Sequence, residues 1–133
     1  MAGELLLDTG ALVSILDRTQ AVRFFETWER PILSTEAVLT EATHLLGRVR
    51  QGRKACVEFF LDGGAVLVPA TVSSLRRVRD LLGDYADQPM DYADATLVVL
   101  AEEIGTDLVF TTDRRDFGVY RIRGRRRFRI VPE

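Results

Sequence analysis

Cysteine, histidine and lysine occur once each in this chain, as Cys56, His44 and Lys54. A single cysteine excludes an internal disulfide and any zinc site built on cysteines. A single histidine makes any Ser-His-Asp or Cys-His mechanism depend on His44, and nothing around that residue supports one. Glu41-Ala-Thr-His44 spells Glu-x-x-His, but a di-iron bundle needs two such copies, and the helical wheel turns His44 away from the apolar face. Long hydrophobic runs are absent too, so no segment approaches a membrane span. The opening Met-Ala-Gly-Glu-Leu-Leu-Leu-Asp has no positive region and too short an apolar run for a signal peptide, which predicts a cytoplasmic protein. There is no internal repeat, low-complexity stretch or linker. What remains, 133 residues with 47% hydrophobic and 29% charged content, predicts one globular domain over residues 1–133, large enough for its own core.

The net charge is only −2, but it is spread unevenly: of 18 basic residues, eight are arginines between Arg114 and Arg129. Arginine grips phosphate through a planar fork. This makes Arg114, Arg115, Arg121, Arg123, Arg125, Arg126, Arg127 and Arg129 candidates for contact with a nucleic-acid backbone. The plain alternative is a solvated edge hairpin whose charges guard against aggregation.

Along the chain, short apolar runs alternate with helical patterns. Glu4 to Leu7 reads as a buried strand, Ala11 to Leu16 as a helix, and Ala21 to Trp28 as a second helix anchored by Phe24, Phe25 and Trp28. Pro31 to Leu33 suggests a short strand. A third helix opens at Ser34 and runs to about Val49, with Val38, Ala42, Leu45, Leu46 and Val49 inward. Lys54 to Leu61 gives a fourth, closed by Gly63-Gly64, and Ala65 to Val68 a strand. Thr71 to Tyr85 is amphipathic, with Leu75, Val78, Leu81, Leu82 and Tyr85 inward and Arg76, Arg77 and Arg79 outward. Asp91 caps a helix that ends at Gly105. Asp107 to Thr112 is a strand, and Arg127 to Val131 alternates like a last one. Strands alternating with helices predict an α/β fold: a parallel sheet with helices on both faces.

The helix after Asp91 carries the sharpest anomaly. Leu97, Val98, Val99, Leu100 and Ala101 cover most of its circumference, so it is a buried helix. Asp94 shares a face with Leu97, Val98 and Ala101. A buried carboxylate needs a cation, a partner or a proton. Asp8 and Asp113 directly follow two apolar strands, at the carboxyl ends where open parallel sheets bind ligands. Taken singly, each suits a turn or a helix cap. Glu41 lies at the margin of an apolar face, as a snorkelling glutamate also would. Taken together, Asp8, Glu41, Asp94 and Asp113 form an acidic set that resists common ionisation unless a cation neutralises it. Oxygen donors alone favour Mg²⁺ or Mn²⁺ over zinc, and such a site suits phosphoryl chemistry. Asp116 is a candidate accessory acid. Asp91 is a weaker candidate, because capping already accounts for it.

The segments Leu-Leu-Leu-Asp8-Thr-Gly-Ala-Leu, Leu-Thr-Glu41-Ala-Thr-His-Leu-Leu, Met-Asp-Tyr-Ala-Asp94-Ala-Thr-Leu and Phe-Thr-Thr-Asp113-Arg-Arg-Asp116-Phe occur in an order and spacing that resemble the PIN-domain ribonucleases. The nearest likeness is to the VapC-type toxins of toxin–antitoxin pairs. The resemblance covers essentially the whole chain. It implies a PIN-like three-layer α/β/α domain with a central parallel sheet, and a Mg²⁺- or Mn²⁺-dependent endoribonuclease. It also implies that Asp8, Glu41, Asp94 and Asp113 are the catalytic, metal-holding quartet, with Asp116 accessory. Thr111 or Thr112 matches the hydroxyl residue often found before the last aspartate. An RNA substrate, a small antitoxin partner and a homodimer follow from the same resemblance. The alternatives are a PIN-domain nuclease of RNA processing and a degenerate PIN-like binding module. A phosphoacceptor receiver domain would want a lysine near the acids, where Lys54 is not expected.

Overall fold

The computed structural model describes residues 3–19 and 22–132. A parallel five-stranded sheet forms its centre, built from β1 (Leu5–Leu7), β2 (Ile32–Thr35), β3 (Val66–Val68), β4 (Leu108–Phe110) and, last in the chain, β7 (Arg129–Val131), in the order β3-β2-β1-β4-β7. Around it lie α1 (Thr9–Leu16), α2 (Val22–Thr27), α3 (Glu36–Leu45), α4 (Gly52–Leu61), α5 (Val72–Asp84), α6 (Tyr92–Ile104) and α7 (Arg114–Val119). Two-residue strands β5 (Arg121–Ile122) and β6 (Arg126–Arg127) pair antiparallel as a separate hairpin. This is the three-layer α/β/α arrangement that the strand-helix alternation predicts. The central strand is Leu5-Leu6-Leu7, fully buried, because a strand covered on both sheet faces has no solvated side to vary.

Register places the chemistry. Leu6 pairs with Val109 and Leu7 with Phe110, so the residues after both strands emerge side by side. Because β2 and β3 lie on one side of β1 and β4 on the other, the chain reverses its direction of travel between β1 and β4. A crevice opens at such a switch point.

The helix between Asp91 and Gly105 forms as the sequence indicates. Asp91 accepts from the Asp94 N–H at 2.8 Å, and Gly105 ends the helix in the left-handed region at φ 84°. Ala93, Ala95 and the run from Leu97 to Glu102 are buried. Lys54 lies exposed on α4, and His44 is exposed in the last turn of α3.

Several expectations need correcting. The third helix does not open at Ser34: both Ser34 and Thr35 belong to β2. The Ser34 hydroxyl donates to the Leu7 carbonyl at 2.7 Å, and Thr35 caps α3. After Leu45 the chain tightens into a 3₁₀ turn, Leu46–Arg48, which keeps Leu46 buried and leaves Leu45 and Val49 exposed. On α5, Val78 and Leu81 are buried, but Leu75 and Leu82 are exposed. Arg77 turns inward and binds Glu102. The last strand is broken at Phe128, which is buried between β6 and β7. The second helix starts at Val22, and the expected start at Ala21 lies outside the described residues. Its Phe24 ring sits 4.8 Å from Phe110 and 5.5 Å from Trp28. Among the described residues no helix is long and apolar enough to cross a membrane.

Two buried carboxylates tie the arginine-rich tail to this frame. Glu102 accepts from Arg77 at 2.8 and 3.0 Å and from the Arg123 backbone N–H at 2.7 Å. Burial alone would raise its pKa, but these donors and the two positive charges hold it below the ordinary carboxylate range. Asp107 accepts from Arg126 at 2.7 Å and Arg129 at 2.8 Å. Removing one member of a buried pair strands its partner. Because the Arg77 side chain is one third exposed and can be rehydrated, Glu102→Ala should lower the urea-unfolding free energy by roughly 1–3 kcal/mol. Asp80→Ala, which breaks the exposed pair with Arg79, should change it by no more than about 1 kcal/mol.

Candidate active site: an acidic crevice at the strand ends

Asp8 leaves β1 into the crevice and is 6% exposed. Although it precedes α1, its carboxylate does not cap that helix. Instead Asp8 Oδ2 accepts from the Thr111 hydroxyl at 2.7 Å, while Thr111 Oγ1 accepts from the Asp113 N–H at 2.9 Å. This chain of bonds joins the end of β1 to the loop after β4. The fit is close: a β-carbon on Gly10 would collide with the Thr112 hydroxyl. Asp113 caps α7 by accepting from the Asp116 N–H at 3.1 Å.

Asp94 faces the same crevice from the first turn of α6, and it has a partner that the sequence pattern does not reveal. The Tyr120 hydroxyl donates to Asp94 Oδ2 at 2.9 Å. Tyr120 is itself fully buried and stacked edge-on against Tyr85 and Phe117. For Asp8 and Asp94 alike the side-chain hydrogen bond falls on Oδ2, and the Thr9 backbone N–H also acts on the Asp8 carboxylate. Glu41, on α3, is half-buried and interacts with Asp91. The buried Thr9 hydroxyl lies close enough to Glu41 to favour its charged form, yet it completes no hydrogen bond.

These side chains act on one another electrostatically. Burial, then Asp113 and Asp91, push Asp8 up to about 6 against the opposing bond from Thr111. Burial and the Asp91 charge push Asp94 up to about 7, with Tyr120 opposing. Burial, then Asp91, also raise Glu41. Asp116 is raised chiefly by its hydrogen bond with Asp113. Asp91 thus faces Asp8, Glu41, Asp94 and Asp116 together, which is more than its capping role suggests. Among the described residues, no three acids already converge as a ready-made metal site. Their oxygens are held by Thr111, Tyr120, the caps of α6 and α7, and the Glu41–Asp91 contact. The donor set still fits a hard divalent cation: it is all oxygen and short of positive charge.

The arginines divide between two ends of the sheet. Arg114 and Arg115 open α7, beside Asp113. Arg114 donates to the Pro132 carbonyl at 2.8 Å, and the charge of Arg115 acts on Asp116. Arg121 donates to the carbonyls of Gly118, Val119 and Tyr120 at the end of α7. Arg123 and Arg126 bind Glu102 and Asp107, at the C-terminus of α6 and the start of β4, away from the crevice. Arg125 and Arg127 are exposed on the same hairpin. The lone thiol, Cys56, is fully buried and pushed up to about 11 by burial.

Fold and crevice define a class: a small parallel α/β/α domain whose reactive groups at the switch point are carboxylates. The PIN domain family model matches residues 5–123, and the chain belongs to that family. It is 27% identical over 135 residues to Ribonuclease VapC26 of Mycobacterium tuberculosis (strain ATCC 25618 / H37Rv), covering 96% of this chain and 100% of that protein. Its fold is similar to the crystal structure of M. tuberculosis VapC20, a sarcin-ricin loop cleaving toxin, with a TM-score of 0.72 at 18% identity over 84% of this chain and 91% of the other. It is likewise similar to a chain of the DNA-bound VapBC complex from Salmonella typhimurium, with a TM-score of 0.69 at 19% identity over 98% of each chain.

The raised acids set a pH dependence. A carboxyl whose folded pKa exceeds its unfolded value binds more protons when folded, so its contribution to stability falls as pH rises between the two values. For Asp94 that window runs from about 4, its unfolded value, to about 7. In metal-free buffer, Asp94→Asn should therefore gain stability relative to wild type as pH is raised from 4 to 7, with no further change above. Thermal unfolding of both proteins across that range measures it, and a constant difference would show that Asp94 titrates normally.

Proposed function

We propose that this chain is a metal-dependent endoribonuclease, the toxin component of a type II toxin–antitoxin system. The observation that carries this reading is the crevice itself, where Asp8, Glu41, Asp91, Asp94, Asp113 and Asp116 act on one another at the switch point of a PIN domain. Support for the toxin role comes from full-length similarity to a VapC ribonuclease and from the fold shared with a chain of a VapBC complex. On this reading a small antitoxin covers the crevice, and the working form is a homodimer.

Asp8, Asp94 and Asp113 would hold a Mg²⁺ or Mn²⁺ ion, with Glu41 binding it or aligning the attacking water and Asp116 accessory. Such an ion lowers the pKa of water and neutralises charge gathering on a phosphate. The residues supply the rest. Thr111 and Tyr120 each hold one oxygen, of Asp8 and of Asp94, and so limit how the two carboxylates can turn. Glu41, its pKa raised by burial and by Asp91, is suited to accept a proton from water. Arg114 and Arg115, at the acidic end, are placed to meet the RNA backbone. Arg121, Arg123 and Arg126 already hold protein groups, while Arg125 and Arg127 stand at the far hairpin.

Wild-type protein should cut structured RNA in the presence of Mn²⁺, and Asp8→Asn should reduce the rate at least about a hundredfold, on the scale seen when a group at a reacting centre is removed. Equal rates in a gel-based cleavage assay would reject the nuclease. Binding of single-stranded RNA should weaken with salt. Arg114→Ala with Arg115→Ala should reduce the log–log slope by about 1.4, or 0.7 per phosphate contact. If Arg125→Ala with Arg127→Ala has the larger effect in anisotropy titrations, the backbone path runs over the hairpin instead.

A further inference from the structure

A second concavity opens on the same end of the sheet as the acidic crevice. It lies between α3, α5 and α6, above the carboxyl ends of β2 and β3, and has a volume of about 210 Å³. Two residues at its rim immediately adjoin acids of the crevice: Tyr92 follows Asp91, and Thr40 precedes Glu41. The acids stand over β1 and β4, so the two sites are separated by roughly two strand spacings, about 10 Å. Helix α6 forms a wall of both, with Asp94 on one face and Tyr92, Thr96 and Glu103 on the other.

The cavity is smaller than the ~300 Å³ at which pockets for whole drug-sized ligands begin, so it suits one flat ring system. Its floor is apolar, formed in part by Val78 and Val99. Its rim is polar and rich in acceptors. The carboxylates of Glu36 and Glu103 line it and are exposed, with neither in an ion pair among the described residues. Tyr92 stands at the mouth, 43% exposed. An aromatic ring at the entrance, apolar walls and acceptors for an N–H₂ group are the features by which proteins hold an unstacked base of single-stranded RNA. Carboxylates at the rim repel phosphate and carry no donor, so among the bases they favour edges with an amino group, and uracil, whose single imide N–H stands between two carbonyl oxygens, suits them least.

We propose that this cavity receives an unstacked RNA base bearing an exocyclic amino group (adenine, cytosine or guanine, but not uracil) close to the bond that is cut, and so sets part of the cleavage sequence. The proposal rests on the ribonuclease reading for its role, while its binding chemistry can be tested without cleavage.

Two measurements decide it. In the first, ¹⁵N-labelled metal-free protein is titrated with CMP, GMP, AMP and UMP. Amide shifts should cluster at Thr40, Tyr92 and Thr96 for the three amino-bearing nucleotides and be several-fold weaker for UMP. In the second, cleavage sites are mapped in a randomised single-stranded RNA pool. Wild type should disfavour uracil about tenfold at one position near the cut. Glu36→Gln with Glu103→Gln should level that preference, and Tyr92→Ala should raise KM several-fold with kcat little changed. If the RNA pool is not cut at all, the nuclease reading fails and the titration alone decides the cavity. Shifts elsewhere, or equal shifts for UMP, overturn the proposal. So does unchanged base preference in the variants, including the case where they only weaken inhibition by the antitoxin, which would make the cavity a protein-docking site.

Discussion

Like charges confined where water is scarce govern this molecule. Asp8 is buried at the end of the central strand, Asp94 sits on a largely buried helix, and Asp91, Asp113 and Asp116 crowd the same opening. Left to itself such a group would take up protons or splay apart. The fold resists splaying by giving several carboxylates a second duty. Asp91 and Asp113 cap the helices that follow them, Asp8 holds Thr111, and Asp94 holds Tyr120. The N-termini of α1, α6 and α7 meet at the crevice, where their dipoles favour negative charge. The crevice is therefore structurally secured yet electrically unsatisfied, a state that a cation relieves.

The opposite end of the sheet solves the same problem in another way. Glu102 and Asp107 are as deeply buried as Asp8, but Glu102 receives the Arg77 guanidinium from α5 and the Arg123 backbone N–H, and Asp107 receives Arg126 and Arg129 from the tail. Buried carboxylates of equal depth thus serve as framework at one end and, on the proposed reading, as chemistry at the other. What separates them is whether a guanidinium reaches them.

Much of this plan can be read from residue order. Helix α6 declares its limits through Asp91 and Gly105, and the acids at the strand ends are legible because an apolar run stops abruptly at each. Pairings across long sequence separations are not legible. Tyr120 lies 26 residues beyond Asp94 in a stretch dominated by arginine, so its phenol gives no periodic signal. Arg77 looks solvent-facing on a helical wheel because the wheel cannot show Glu102 on the neighbouring helix. Asp91 is undervalued for the opposite reason: a sufficient local role hides the fact that it also faces four other acids. Ser34 and Thr35 resemble a helix start because small hydroxyl residues favour caps, but sheet pairing extends β2 through both of them.

Tyr120 also marks where the hairpin is rooted. From there the chain runs beside α6 as β5, turns, and returns as β6, two residues to a strand. Elements this short are among the first to open when a protein fluctuates below its global unfolding threshold. An opening that travels as far as Tyr120 releases the carboxylate of Asp94 to rotate. How long the crevice keeps its aim is thus a lifetime governed by arginine pairs at the opposite end of α6, and native-state hydrogen exchange at the hairpin amides is the clock that reads it.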